Sequence, residues 1–174
     1  MLHPMSDWYW FSENSRLMLS MGEEWQCTTA YGQQQIIDLP KSQQLFNLSD
    51  SECYLTFANH LLASGGHFSD AQLTHILINA TAATMFHKPV SPKSWFLDEI
   101  ESFGFHHRLA RVVNKFNSAV VLILTDELSL ATCMLISSKL QLNENKFLKQ
   151  FDLIKLAKTR LEPLLSESSS QLTA

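Results

Sequence analysis

The chain has 174 residues, of which 45% are hydrophobic and 17% charged, with a formal net charge of −4. That length suits one domain or two small ones, and the apolar share can fill a core, which excludes a wholly disordered chain. Five Gly and five Pro exclude a collagen-like or linker-dominated chain. The acidic balance argues against general nucleic-acid binding, which needs surplus Lys and Arg. Cys27, Cys53 and Cys133 are widely spaced, with no CxxC pair, and read as reduced thiols of a cytoplasmic protein. No basic run precedes an apolar core in residues 1–10, so no signal peptide is expected. The apolar run at 119–124 is far short of the ~20 residues that cross a bilayer, so no membrane insertion is expected.

Charge is unevenly placed. Residues 1–90 carry three basic side chains against eight acids, and residues 91–174 carry ten against nine. Such asymmetry suggests two surfaces with different partners.

The chain opens on a hairpin pattern. Trp8, Tyr9, Trp10 and Phe11 are strand formers, residues 12–15 supply turn chemistry, and residues 17–21 return as a second strand closed by Gly22. Residues 25–31 extend the meander. Ser49 three residues before Glu52 reads as a capping box for a helix whose apolar run is 54–63, although the alternation of Cys53-Tyr54-Leu55-Thr56-Phe57 also allows a strand start. Ser69 with Gln72 caps a second helix, in which Leu73, Ile76, Leu77, Ala80, Thr84 and His87 keep the helical period. His75 shares a polar edge of that helix with Gln72 and Asn79.

Pro89 and Pro92 mark the expected domain boundary. Beyond it, residues 109–115, 118–125 and 128–137 are β-branched and apolar runs punctuated by turn residues. A last helix is expected from Asp152, with Leu153, Leu156, Ala157 and Leu161 inward and Pro163 ending it. The organisation expected is α+β: an N-terminal α/β domain at 1–90 (β-hairpin or meander plus two helices), a β-rich domain with a final helix at 91–165, and a flexible tail at 166–174.

Chemistry-bearing patterns are sparse. His60, His67, His75 and the pair His106-His107 lack the helical spacing of zinc ligands, so no metal is expected. Glu23-Glu24 and the acids Asp98, Glu99 and Glu101 read as solvated surface. The glycines assemble no phosphate loop or dinucleotide fingerprint, so neither cofactor nor catalytic residue is expected and the chain does not read as an enzyme.

Two features look like recognition surfaces. The first is the aromatic cluster of Trp8, Trp10 and Trp25 with Leu19 and Phe11, which packs a core or lines a groove. The second is basic: Lys146, Lys149, Lys155, Lys158 and Arg160 lie within fifteen residues whose one acid is Asp152. Arg108, Arg111 and Lys115 join it if the strands run nearby. An acidic protein suits this strip better than nucleic acid does, since the chain as a whole is negative.

The segments Asp7-Trp8-Tyr9-Trp10-Phe11, Arg16-Leu17-Met18-Leu19, Pro92-Lys93-Ser94-Trp95 and Arg160-Leu161-Glu162-Pro163 resemble, in order and spacing, the ZapC family of Z-ring-associated cell-division proteins. The resemblance spans roughly residues 5–165, and departs from the family at 64–67, at 98–115 and in the tail. It implies an N-terminal α/β part and a C-terminal twisted β-barrel-like part. It also implies a non-enzymatic, cytoplasmic protein at the mid-cell division site that binds FtsZ, bundles and stabilises its protofilaments and suppresses its GTPase activity. Leu19 and Arg160 are the foremost partner-binding candidates, each inside a matching segment, with Trp8, Trp10, Trp25, Lys155 and Lys158 beside them. A monomer carrying two different patches is expected to bridge filaments, and the tail ending Gln171-Leu172-Thr173-Ala174 to serve as a handle for a cytoplasmic protease. The alternative is a small-molecule-binding or enzymatic α+β domain with an aromatic pocket near Trp8 and Trp25.

Overall fold

The computed structural model describes residues 1–100 and 108–164. Glu101, the pair His106-His107 and the tail at 166–174 lie outside the described residues.

Strand β1 (Trp8–Glu13) pairs antiparallel with β2 (Arg16–Met21), in register from Trp8 opposite Met21 to Glu13 opposite Arg16. Asn14 and Ser15 form the two-residue turn at φ 50° and 61°, a left-handed pair whose twist suits a tight hairpin. β3 (Gln26–Gly32) adds to β2, and the short β4 (Gln44–Leu45) to the other side of β1, giving the order β3-β2-β1-β4. The meander of the sequence reading is present; β4, two residues without a pattern, had no signal to find.

Helix α1 (Leu48–Ala63) starts earlier than its apolar run. Its box is not Ser49 with Glu52. The Asp50 N–H donates to Asn47 Oδ1 at 3.1 Å, and the Asn47 N–H to Asp50 Oδ2 at 2.9 Å. Short amide and carboxylate side chains cap as well as a serine does, so the earlier pair took the position. Helix α2 (Asp70–Phe86) is capped as expected, with the Gln72 N–H donating to Ser69 Oγ and the Ser69 N–H to Gln72 Oε1. Ten of its residues from Leu73 to Ala83 are buried, which requires cover around most of its circumference. Asn79, on the polar edge shared with Gln72 and His75, is fully buried. Its Oδ1 accepts the Ala30 N–H at 2.8 Å and its Nδ2 donates to the His75 carbonyl at 2.9 Å, tying α2 to β3.

The later half forms a five-stranded antiparallel sheet of β5 (Leu109–Val113), β6 (Ser118–Asp126), β7 (Leu130–Leu135), β10 (Leu153–Ala157) and β11 (Glu162–Pro163), in the order β10-β7-β6-β5-β11. A separate hairpin joins β8 (Lys139–Gln141) to β9 (Phe147–Lys149). The expected closing helix is therefore a strand. Residues 153–157 pair with β7 along their whole length, from Leu153 opposite Met134 to Ala157 opposite Leu130. Ile154 and Leu156 turn inward at a period of two, and only the single 3-10 turn Lys158–Arg160 follows. An apolar run this short fits either period, and pairing along the β7 edge decided it. The sheets do not close into a barrel among the described residues; the fold class is α+β, as expected.

By contact density the chain divides into two units, Met1–Ala58 with Phe68–Pro89, and Asn59–His67 with Val90 onward. In the second unit, Val112, Val121, Ile123, Leu135, Leu140 and Leu156 belong to one buried cluster.

Candidate interaction site

Within the first unit the aromatic segment splits by alternation. Trp8 and Trp10 share a strand face and are 1% and 0% exposed. Trp8 meets Phe46 at 5.5 Å and Tyr54 at 5.9 Å, while Trp10 meets Phe46 at 5.5 Å and Phe86 at 5.3 Å, mostly edge to face. Leu19 lies opposite Trp10 in the β1–β2 register and is also fully buried. Three of the candidates read as contact residues are thus core, because the hairpin face they occupy is the one covered by helix side chains. A buried side chain has no surface to offer a partner.

Trp25 behaves differently. It sits just before β3, its carbonyl accepts the Met21 N–H at 2.8 Å, and its side chain is 63% exposed. It stands at a groove of about 470 Å³ whose lining includes Leu2, Met21, Cys27, His75 and Ile78. Burial pushes the Cys27 thiol up to about 11. Burial also holds His75 below the usual imidazole range, against a hydrogen bond with the Thr28 backbone that acts the other way. Both groups are neutral at physiological pH, so they supply neither a thiolate nor an imidazolium. The groove suits an apolar side chain of a partner better than bond-breaking chemistry. Sequence reasoning found Trp25 but not Met21, Cys27 or Ile78, which come from two strands and a helix with no shared spacing.

In the second unit the basic strip divides. Lys155 Nζ donates to Glu127 Oε1 at 2.6 Å, Lys158 pairs with Asp126, and Arg108 donates to the Ile123 and Leu124 carbonyls. Arg111 lies 3.6 Å from Glu162. The Arg160 guanidinium donates to the Leu97 carbonyl and stands 4.0 Å from the Glu99 carboxylate. Lys115, Lys146 and Lys149 have no ion-pair partner among the described residues.

The structure also joins two segments that the sequence keeps far apart. The residues around Pro92-Lys93-Ser94-Trp95 lie along β10. Pro92 bridges Lys155, the Lys93 N–H donates to the Lys155 carbonyl, and the Ala157 N–H donates to Ser94 Oγ at 2.7 Å. Arg160 then reaches back to the Leu97 carbonyl just beyond Trp95, whose ring is largely exposed. Nothing in spacing alone announces this meeting.

Among the described residues, no cluster of His, Cys, Asp or Glu is arranged to hold a metal ion, and no helix is long and apolar enough to cross a membrane. The arrangement defines an α+β protein with a largely apolar groove in one unit, the Met1–Asp70 ion pair in its wall, and a Trp95–Arg160 surface in the other. Comparison with known proteins gives the family. Residues 1–88 match the family described as Cell-division protein ZapC, N-terminal, and residues 89–167 match Cell-division protein ZapC, C-terminal. A protein of Pseudoalteromonas atlantica named Cell division protein ZapC is 35% identical over 170 residues, covering 95% of both chains. Proteins of that name from Shewanella woodyi and Shewanella frigidimarina are 34% and 32% identical, each over 94% of this chain and 92% and 94% of their own. The chain belongs to the ZapC family of cell-division proteins.

Proposed function

We propose that this protein binds filaments of FtsZ at the division site, links them side by side and slows their GTP turnover, without an activity of its own. What carries the reading is membership of the family across both halves of the chain, with relatives named as cell-division proteins. Trp25 and its groove form one contact, taking an apolar side chain of the filament. Arg160, Lys155 and Lys158 form a second, in which carboxylates of the filament replace Glu99, Glu127 and Asp126. Trp8, Trp10 and Leu19 support the first contact from beneath without touching the partner.

A monomer with two unlike patches can bridge two filaments, and a polymer that repeats each site lets weak contacts act together by avidity. Laterally held filaments exchange subunits slowly, which lowers GTP hydrolysis without any group entering the FtsZ active site. The test is a titration of this protein into polymerising FtsZ, reading light scattering and phosphate release together. Scattering should rise as phosphate release falls. Unchanged values of both at saturating protein would remove the proposal.

A further inference from the structure

The β8–β9 hairpin gathers lysines that make no ion pair among the described residues, although Asp152 Oδ2 accepts the Lys149 N–H at 2.8 Å. Lys139 and Lys149 are directly opposite in the register, on the same face as Phe147. Lys139 Nζ stands 4.3 Å above the centre of the half-exposed Phe147 ring. The turn between β5 and β6 is strapped to this hairpin. Asn114 Nδ2 donates to the Gln141 carbonyl at 2.7 Å, Asn117 Nδ2 to the Lys139 carbonyl at 3.3 Å, and the Gln141 N–H to Asn117 Oδ1 at 3.2 Å. The strapping brings Lys115 and Lys146 to the wall of one pocket of about 430 Å³, together with Phe116, Asn143 and Asn145. Lys115 Nζ lies 4.9 Å from the Phe116 ring centre and Lys146 Nζ 5.6 Å from that of Phe96.

None of these four lysines is within ion-pair distance of an acid among the described residues, and Glu144 is the acid in the pocket wall. The contrast with Lys155 and Lys158 is instructive. Their partners Glu127 and Asp126 sit at the far end of β6, a strand of nine residues from Ser118 to Asp126. At ~3.3 Å per residue that is about 25 Å, several times the ~8 Å over which charge is felt in physiological salt. The free lysines are therefore unscreened by those acids. Lysines that merely guard a sheet edge need no aromatic beneath them. Three of these four have one, which holds the ammonium group in place and leaves apolar surface beside it.

We propose that this end of the second unit is a docking site for an acidic polypeptide segment. Its carboxylates meet Lys115, Lys139, Lys146 and Lys149, and its apolar side chains lie on Phe147 and Phe116. A short segment is favoured over a bilayer or a nucleic acid because the whole chain is at −4, which weighs against an extended polyanion. This site does not depend on the filament reading above.

The experiment uses the full chain and a short fluorescein-labelled peptide that mixes glutamate with leucine, followed by anisotropy at ~0.15 M salt and at higher salt. A single-stranded oligonucleotide and vesicles of phosphatidylglycerol with phosphatidylcholine run in parallel. The peptide should bind, weaken with salt, and lose about tenfold or more in affinity in the double variant Lys139→Glu, Lys149→Glu. The variant Lys41→Gln, a lysine of the first unit outside both proposed contacts, should bind as the parent does. Should charge reversal disturb folding by circular dichroism, Lys139→Gln with Lys149→Gln gives the same reading with a smaller loss. No binding of the peptide, binding indifferent to the hairpin lysines, or a preference for oligonucleotide or vesicles would each overturn the proposal.

Discussion

Trp10 and Leu19 face one another across the first hairpin, in register, and neither is exposed to solvent. A residue inside a family-matching segment is thereby part of the core. Loss of function on changing it reports on the fold before it reports on a partner.

Leu19→Ala should lower stability by ~2–5 kcal/mol, since it opens a cavity under Trp10. Trp25→Ala should leave stability within ~0.5 kcal/mol, as it removes a mostly exposed ring. Urea unfolding of both variants checks this. Equal destabilisation would mean that the groove tryptophan is core as well.

Asn79 is a buried polar residue that joins α2 to β3 through the Ala30 N–H. Asn79→Ala strands the Ala30 N–H inside the unit and should cost ~1–3 kcal/mol. Amide exchange gives the sharper reading: the Ala30 N–H should exchange faster, while amides of β6 and β7 keep their protection. Unchanged exchange at Ala30 would show that water reaches it already.

Burial holds His75 below its ordinary range, so the folded protein resists the proton that the unfolded chain accepts. Stability from this group is complete above the unfolded value of ~6.5 and is lost as pH falls toward the folded one. Cys27 in the same groove is neutral throughout that window, and Asp70 lies 2.9 Å from the Met1 amino group. The melting temperature should therefore fall between neutral pH and about pH 5 by more in the parent than in His75→Gln. Parallel curves for the two would contradict the assignment.

The same groove sets the reactivity of Cys27. With its thiol pushed up to about 11, little thiolate exists near neutral pH. Iodoacetamide should label Cys27 at least about tenfold more slowly in the folded protein than in urea, followed by peptide mass spectrometry.

How much of this was legible beforehand depends on how local each signal is. The first hairpin, the Ser69 cap and β5 to β7 follow from turn residues and period within a few positions. The strand at 153–157 did not, because Leu153, Leu156, Ala157 and Leu161 fit a helical stripe until the β7 edge claims them. The cap at Asn47 was missed for a similar reason, since two adjacent segments each offered a suitable pair. The site was harder still. Composition identifies Trp8, Trp10 and Trp25 alike, and only the covered face of β1 separates core from surface. The basic strip looked continuous in sequence, whereas Asp126 and Glu127 neutralise one half and leave the hairpin lysines free.

The filament reading is tested most directly by low-speed sedimentation of FtsZ polymerised with GTP, with the parent protein beside Trp25→Ala and Arg160→Ala. Each variant is first checked for parent-like melting. The account predicts that the parent pellets with FtsZ bundles while the folded Trp25→Ala and Arg160→Ala variants leave most FtsZ in the supernatant. Parent protein that brings down no FtsZ, or folded variants that pellet it as fully as the parent, would contradict the two-patch bridge.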